Sequence, residues 1–239
     1  MNIGLLGYGK MGKEIEKLAL DRGHKIVLKI NSSNINELTH DALQKPEVLI
    51  DFSTPRAAKK NIMIAIESKT PIVCGTTGWL NDFEHIVSYC KEKNGSFLYA
   101  SNFSLGVNLF FELNKNLAKL MKNHNNYGIR MSETHHTEKV DAPSGTAISL
   151  AEQIIAENKN KSDWTISEKS TEEKIKIDVH RENNIPGKHM VLYNSDIDSI
   201  SIQHEAHSRK GFALGAIIAA EWIKNKKGVF NIKDILFPS

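Results

Sequence analysis

The sequence has few of the residues that mark secreted, membrane or metal-binding proteins. It contains two cysteines in 239 residues, Cys74 and Cys90, which are too few for a disulfide framework and lack the spacing of a zinc site. No apolar run reaches the roughly 18 residues that a membrane-spanning helix needs. The first residues, MNIGLLGYG, lack a basic leader and a cleavage site, so we expect no signal peptide. We therefore expect a cytoplasmic protein with no membrane partner.

Charge of one sign is also scarce. The chain has 31 Lys and Arg residues against 28 Asp and Glu residues, a net charge of +3, and its lysines are scattered. This weak positive charge gives no reason to expect a nucleic-acid partner. The length suits one large domain or two modest ones.

Short apolar runs alternate with helical patterns over the first hundred residues. This alternation predicts right-handed βαβ units and a parallel sheet. From Leu105 the pattern changes to two helices and several consecutive strands, which predicts a mixed or antiparallel sheet in a second, α+β domain. The apolar helix near the end can pack back on the first domain. We predict an α/β fold with one domain formed by residues 1–104 and 214–239 and a smaller one formed by residues 105–213.

A glycine-rich turn follows the first predicted strand and precedes the first predicted helix. In such a G-x-G-x-x-G turn the first glycine permits the tight turn, the second lets a pyrophosphate approach, and the third lets the helix pack closely. The helix start offers free N–H groups to phosphates. The turn predicts a Rossmann-like domain with a dinucleotide site at Gly7, Tyr8, Gly9, Lys10, Met11 and Gly12.

Asn31 stands at the end of the second strand, where an acidic residue would hold the adenine ribose of NADH. Its neutral side chain does not repel a 2′-phosphate, so the sequence leaves NADH and NADPH both open. A simple turn residue is the alternative interpretation of Asn31.

Two further turns follow the carboxyl ends of apolar strands, where open α/β sheets bind their ligands. Their small and hydroxyl-bearing side chains leave room for a nicotinamide ring, although ordinary strand-end turns have similar sequences. The candidate cofactor residues in these turns are Gly75, Thr76, Thr77, Ala100, Ser101, Asn102 and Phe103.

The segment SETHHTEKVDAPSGTA, residues 132–147, concentrates side chains that can carry chemistry. His135 and His136 are neighbours on a predicted strand and point to opposite faces, so they are poorly placed to share a metal ion, and we expect none. Ser144 lacks the G-x-S-x-G turn of a nucleophilic serine.

Acid–base chemistry suits this segment better. A histidine can deliver a proton near neutral pH, and Lys139 can stabilise negative charge. Ser144 is a good helix N-cap, and the N–H groups of Gly145 and Thr146 with the Thr146 hydroxyl would form an anion cradle. The segment predicts a small carboxylate substrate; a capped helix after a solvated loop is the alternative.

Residues 133–147 resemble the signature E-x-H-H-x-x-K-x-D-A-P-S-G-T-A of the 4-hydroxy-tetrahydrodipicolinate reductase (dihydrodipicolinate reductase) family of bacterial lysine biosynthesis. The resemblance spans nearly the whole chain. It extends to the glycine-rich turn, to DFS-x-P at 51–55, to A-x-N-F-S-x-G-V-N at 100–108, to Gly187-x-His189 and to residues 209–216.

The resemblance implies an oxidoreductase that reduces 4-hydroxy-tetrahydrodipicolinate, by way of dihydrodipicolinate, to tetrahydrodipicolinate with NADH or NADPH. Hydride passes to C4 of a cyclic imine, and a proton completes the product. The first domain binds the cofactor, and the second binds the dicarboxylate substrate and forms a homotetramer through its sheet. The implied proton donors are His135 and Lys139, with His135 preferred, and the implied substrate contacts are His136, Ser144, Gly145 and Thr146.

Three positions depart from the family pattern: Asn183 replaces a usual glycine, Ser101 replaces a usual alanine, and Asn31 leaves the cofactor preference open. Another two-domain Rossmann dehydrogenase, acting on aspartate or an oxidised sugar, is one alternative. A non-enzymatic NAD(P)-binding sensor is the other. The intact segment 133–147 argues against both.

Overall fold

The computed structural model describes residues 1–169 and 171–238. Contacts between Cα atoms divide the chain into two units, one formed by Met1–Leu105 with the stretch from Arg209 onward and one formed by Gly106–Ser208. The boundary expected before residue 214 would fall inside a helix that begins at Lys210. Because a continuous helix packs as one body, the division lies before that helix. The last residue of the expected first domain, Ser239, lies outside the described residues.

The described residues form seven α-helices and eleven strands, with short 3-10 turns between some of them. None of these helices has both the length and the apolar character needed to cross a membrane. The helices are α1 (Lys10–Asp21), α2 (Pro55–Glu67), α3 (Phe83–Glu92), α4 (Leu105–Met121), α5 (Gly145–Glu157), α6 (Lys210–Ile223) and α7 (Ile232–Leu236). The strands are β1 (Asn2–Leu6), β2 (Lys25–Ile30), β3 (Val48–Asp51), β4 (Ile72–Cys74), β5 (Ser96–Tyr99), β6 (Gly128–His135), β7 (Asp163–Thr165), β8 (Lys174–Arg181), β9 (Gly187–Asn194), β10 (Ser199–Ala206) and β11 (Gly228–Asn231).

The first unit contains a six-stranded parallel sheet in the order β11-β5-β4-β3-β1-β2. This confirms the predicted Rossmann-like sheet. The direction of strand order reverses between β1 and β3, and ligands of open α/β sheets bind at such a switch point, beyond the carboxyl ends of the strands.

Two apolar cores cover the two faces of this sheet. Ile3 and Leu5 contribute to the core that contains buried residues of α1 and α6. Leu6 and Leu49 contribute to the other, which contains buried residues of α2 and α3. Successive strand residues point to opposite faces, so continuous apolar runs such as those of β1 and β3 fit a sheet covered on both sides.

The second unit contains a five-stranded mixed sheet in the order β10-β9-β6-β8-β7. β6 is antiparallel to β9 and parallel to β8. Leu150 and Ile154 of α5 are fully buried and join Ile129 and Met131 of β6 in one core. The same face of β6 continues into Glu133 and His135, because side chains two apart on a strand share a face.

The sequence interpretation missed β7, β11 and α7, which are short. The apolar residues of the last long helix, GFALGAIIAAEWIKNKKG, suggest a helix that continues to Gly228, whereas α6 ends at Ile223. Gly228 has φ +123°, a conformation that glycine adopts readily, and starts β11. The predicted strand through His136 ends at His135, so His136 lies in the loop.

Gly215 provides the fold with a specific test. A Cβ atom at this position of α6 would overlap the carbonyl oxygen of Phe103, and a backbone atom cannot move aside cheaply. At Gly211, on the same helix, the nearest heavy atom would be Ser104 Oγ at 3.5 Å, an ordinary contact. We expect Gly215→Ala to lower the free energy of unfolding by about 3 kcal/mol. Gly211→Ala should change it by no more than about 1 kcal/mol, in the stabilising direction.

Urea unfolding followed by circular dichroism measures both variants. Equal unfolding midpoints for Gly215→Ala and the wild type would contradict the close packing of α6 on the turn after β5.

Candidate functional site

The three glycines of the first turn occupy positions where a side chain would clash with the backbone or stand in the way of a phosphate. Gly7 has φ +90°, and a Cβ there would overlap the backbone of Phe52. A Cβ at Gly12 would lie 2.7 Å from the carbonyl oxygen of Gly7, so the third glycine lets α1 approach the turn. Gly9 is the N-cap of α1 and has open space around it. A phosphate can therefore approach the start of α1 at Gly9.

A cavity of 580 Å³ lies beside this turn, within the size range of small-molecule sites. Gly7, Tyr8, Gly9 and Asn31 line it together with residues that follow β3. Its lining residues follow β1, β2 and β3, so it lies at the switch point, where open α/β sheets bind a dinucleotide. The other predicted residues of the motif lie on α1: Lys10 is exposed, and Met11 packs against the core.

Asn31 forms the turn that was the alternative interpretation of this residue, and it also lines the cavity. Its Oδ1 accepts hydrogen bonds from the backbone N–H (2.8 Å) and hydroxyl (2.6 Å) of Ser33, and its own N–H donates to Asn34 Oδ1. It therefore organises the turn after β2 while lining the cavity.

Next to this cavity, the predicted residue Tyr8 meets two side chains that sequence reasoning missed, Glu16 and Lys29. Tyr8 donates its hydroxyl to Glu16, and Lys29 Nζ lies 2.5 Å from Glu16 Oε1 and 5.0 Å from the centre of the Tyr8 ring. The hydrogen bond from Lys29, followed by that from Tyr8, holds the pKa of Glu16 below its ordinary value. Glu16 therefore offsets the positive charge of Lys29. Glu16 and Lys29 come together because α1 packs against β2, so no local sequence motif reveals the pair.

The turns after β3 and β4 are held together by Asp51, whose side chain is fully buried. Its carboxylate accepts hydrogen bonds from Asn61 Nδ2 (3.0 Å) and Thr76 Oγ1 (2.9 Å), and Thr76 Oγ1 accepts one from the N–H of Ser53 (2.8 Å). Burial raises the pKa of Asp51. Thr76 is thus buried and fixed by Asp51, while its neighbour Thr77 is exposed.

The predicted cofactor residues after β5 divide into buried and accessible ones. Ala100 and Phe103 are buried in the core, and the Phe103 ring lies 5.8 Å from that of Phe52. Ser101 is exposed, and Asn102 Oδ1 accepts the N–H of Ser104. Side-chain contacts to a ligand can come from Ser101 and Asn102.

The second candidate site lies in the other unit and is built by strand register. Glu133 and His135 share one face of β6. His189 of β9 is the cross-strand partner of Glu133, and Arg181 of β8 is the partner of His135. The rings of His135 and His189 meet edge to face with their centres 5.0 Å apart.

Glu133 joins this sheet to the start of α5. The backbone N–H of Ser144 lies 3.1 and 3.0 Å from the two carboxylate oxygens of Glu133. Ser144 Oγ accepts the N–H of Ala147 and lies 3.1 Å from His189 Nε2. Both polar groups of Ser144 are therefore engaged within the protein.

The start of α5 leaves two backbone donors available. Within a helix the first N–H groups have no carbonyl partner, and here Ser144 caps only Ala147. Among the described residues, the N–H groups of Gly145 and Thr146 are left without a hydrogen-bond acceptor, and a Cβ at Gly145 would meet open space. Together with the positive end of the helix dipole, they can hold a carboxylate.

Lys139 lies in the loop between β6 and α5 and is held by Asp141. Its Nζ donates to both Asp141 carboxylate oxygens, at 2.7 and 2.8 Å, which lowers the pKa of Asp141. Arg181 braces this loop by donating to the carbonyl oxygens of Lys139 and Asp141. Because the ion pair is partly exposed, it is weak enough to exchange for another carboxylate.

Burial sets the protonation of the two histidines. It lowers the pKa of His135, aided by the charges of Lys139 and Arg181, while the charge of Glu133 acts to raise it. Burial, followed by the positive charge of His135, lowers the pKa of His189 to about 3. His189 is therefore neutral near pH 7.

Glu133, His135 and His189 bring three potential metal-ligand atoms within 4.8 Å of one another. The sequence did not reveal this group, because it depends on the pairing of β6 with β9. We interpret it as an electrostatic cluster around Glu133, since Glu133 already accepts the N–H of Ser144 and Arg181 lies 3.7 Å from it. A divalent cation would also meet the charges of Lys139 and Arg181.

The loop after β8 accommodates Asn183 in place of the glycine that the resemblance suggested. The positive φ in this loop, +64°, falls on Asn184 rather than on Asn183. Asn183 Oδ1 instead accepts a hydrogen bond from the Thr137 hydroxyl at 3.2 Å. The substitution therefore costs the loop no backbone strain.

Comparisons with known proteins cover both units. Family models match residues 1–103 (dihydrodipicolinate reductase, N-terminus) and 106–236 (dihydrodipicolinate reductase, C-terminus). The chain is 49% identical over 236 residues to the 4-hydroxy-tetrahydrodipicolinate reductase of Christiangramia forsetii, covering 99% of this chain and 98% of the relative. It is 36% identical over 238 residues to the reductase of that name from Rickettsia bellii, covering 98% and 94%.

A solved structure shows the same fold. It is the dipicolinate-bound dihydrodipicolinate reductase from Paenisporosarcina sp. TG-14, which matches with a TM-score of 0.76 and 20% sequence identity. The match covers 98% of this chain and 99% of the other.

Proposed function

The chain belongs to the dihydrodipicolinate reductase family, and on this basis we propose which of its residues carry out the reaction. It is an oxidoreductase of the diaminopimelate route to L-lysine that reduces 4-hydroxy-tetrahydrodipicolinate, via dihydrodipicolinate, to tetrahydrodipicolinate with a nicotinamide cofactor. Another dehydrogenase activity and a non-enzymatic sensor are therefore set aside. The geometric observation that best supports this function is the open start of α5 beside His135 and Lys139.

The first unit would hold the cofactor. The diphosphate would lie at Gly9 and the start of α1, and the adenosine in the cavity lined by Tyr8 and Asn31. Thr77 and Ser101, exposed at the ends of neighbouring strands, are candidates for the nicotinamide end. The bound nicotinamide would supply the hydride.

The second unit would hold the dicarboxylate. One carboxylate would accept hydrogen bonds from the N–H groups of Gly145 and Thr146, and Lys139 and His136 would contact the substrate's remaining negative charge. Lys139 would exchange Asp141 for the substrate. Ser144 would act as the cap that aims these N–H groups, because its own N–H and hydroxyl are engaged by Glu133 and His189.

His135 would donate the proton that completes the reduction. Burial keeps the pKa of His135 below its ordinary value. A bound dianion nearby favours the protonated form, so substrate binding would charge His135 when the proton is needed. Lys139 would share the stabilisation of developing charge.

Association of several copies would suit the second sheet. Met190 and Leu192 are half-buried, on the face opposite the α5 core. β10 is an eight-residue edge strand, and such strands favour further pairing. We propose a cytoplasmic homotetramer assembled through this sheet.

Replacement of the proposed proton donors tests the assignment. We expect His135→Gln and Lys139→Ala each to lower kcat by about 100-fold or more, because general acid catalysis contributes at least that factor. The dissociation constant for the cofactor should change by less than about twofold, since both residues belong to the second unit and the proposed cofactor residues belong to the first. The assay follows loss of nicotinamide absorbance while the preceding synthase generates the substrate.

Exposed residues provide matched controls: His124→Gln and Lys159→Ala should retain wild-type kcat. Near-wild-type turnover of both site variants would contradict the assigned roles. If the wild type oxidised neither NADH nor NADPH with substrate present, the reductase function itself would be refuted.

The ratio of kcat/KM for NADPH to that for NADH tests whether Glu16 offsets the charge of Lys29. Because Asn31 is neutral and Lys29 is offset by Glu16, we propose that the wild type uses NADH and NADPH at comparable rates. Glu16→Gln removes a negative charge and releases Lys29 toward a 2′-phosphate. The NADPH-to-NADH ratio of kcat/KM should rise roughly fivefold, as charge interactions at a partly exposed site allow. Glu14→Gln on the same helix is the control, and an unchanged ratio in Glu16→Gln would refute the proposal.

A further inference from the structure

Glu133 contacts or faces each part of the candidate substrate site in the second unit. Its side chain is fully buried, and its carboxylate lies 3.8 Å from His135 Nδ1, 3.7 Å from His189 Nε2 and 3.7 Å from Arg181 Nη1. It also accepts the N–H of Ser144. The site therefore converges on one buried anion.

We propose that Glu133 is a positioning residue for the reduction, whose carboxylate fixes the start of α5 and the ring of His135 in one arrangement. The proposal rests on the function proposed above, in which His135 donates a proton and the start of α5 binds a carboxylate. It adds a residue to which the sequence interpretation gave no role.

The first part of the argument concerns the start of α5. Glu133 lies on β6, and its bond to the N–H of Ser144 ties the N-cap of α5 to that strand. The cap sets the direction in which the N–H groups of Gly145 and Thr146 point. Since His135 also lies on β6, this one strand positions both the N–H groups that would bind the carboxylate and the proposed proton donor.

The second part concerns the ring of His135. A carboxylate only accepts hydrogen bonds, so Glu133 favours a proton on His135 Nδ1 and leaves Nε2 to exchange the catalytic proton. The distance of 3.8 Å is longer than a hydrogen bond, and catalytic contacts commonly shorten when substrate binds. A Cβ at Gly187 would lie 3.2 Å from His135 Nε2, so the glycine leaves room for this ring.

The third part concerns charge. The groups that face His135 are Glu133 on its own strand, Lys139 and Asp141 in the following loop, Arg181 at the end of β8, and His189 on β9. Lys139 and Arg181 lower the pKa of His135, while Glu133 and Asp141 raise it. Of the two acids, Glu133 has the larger effect. Neutral His189 adds no charge near pH 7. Loss of the Glu133 charge therefore makes His135 harder to protonate.

Glu133→Gln separates charge from shape, because glutamine keeps an oxygen that can accept the Ser144 N–H. A proton donor is active while protonated, so kcat falls as pH rises through its pKa in the substrate complex. In Glu133→Gln this alkaline fall in kcat should move to lower pH, and kcat at pH 8 should drop roughly tenfold. KM for the substrate should change by less than about threefold, and cofactor affinity should be unchanged.

Two further variants and a control sharpen the experiment. Glu133→Asp keeps the charge but shortens the reach, so its alkaline limb should stay near the wild-type pH while kcat falls. Arg181→Gln removes a positive charge from the same network and should move the limb to higher pH. Glu152→Gln, on the exposed side of α5, should match the wild type throughout. Circular dichroism and thermal unfolding establish that each variant is folded.

The outcomes are distinct. The proposal is supported if the alkaline fall in kcat moves to lower pH in Glu133→Gln and to higher pH in Arg181→Gln. A wild-type pH profile in Glu133→Gln, or a uniform loss of kcat with no displacement, overturns it. If Glu133→Gln does not fold, the direction of the shift in Arg181→Gln decides, and no shift counts against the proposal. A wild type without substrate-dependent turnover would instead refute the proposed function.

Discussion

The candidate site of the second unit depends on one interaction, the hydrogen bond from the backbone N–H of Ser144, the N-cap of α5, to the buried carboxylate of Glu133. Burying a charge is costly unless hydrogen bonds and opposite charges surround it, and removal of one partner of a buried ion pair costs about 3–5 kcal/mol. Glu133 meets this condition through the N–H of Ser144 and the nearby guanidinium of Arg181. The same partners define the site, because each lies at the end of an element that can contact the substrate.

The first unit also contains a buried acid that fixes loops next to a candidate ligand site, in this case the proposed cofactor site. Asp51 is buried at the end of β3 and, through Thr76 and Asn61, fixes the turns that follow β3 and β4. Both acids accept hydrogen bonds from the loops that would bind a ligand, and neither is exposed enough to contact the ligand itself. In each unit, a buried acid therefore fixes a turn or helix start that would contact the ligand: the turn after β4 in the first unit and the start of α5 in the second.

Local sequence predicted the elements that have strong periodicity, and the structure confirms the parallel sheet and the mixed sheet. It also located the glycine turn and the cap at Ser144, because both follow from residue types at fixed spacing. It assigned no site role to His189 or Arg181, since they reach the site through strand register between segments far apart in the chain. Glu133 had a local signal, its two-residue spacing from His135 on one strand face. The Glu16–Lys29 pair depends on packing of α1 against β2.

A crystal structure with bound dipicolinate tests the central claim most directly. The account predicts a ligand carboxylate oxygen within about 3 Å of the backbone nitrogens of Gly145 and Thr146, with the N–H of Ser144 still bound to Glu133. A ligand carboxylate that displaces Glu133 from Ser144, or that binds away from the start of α5, would contradict it.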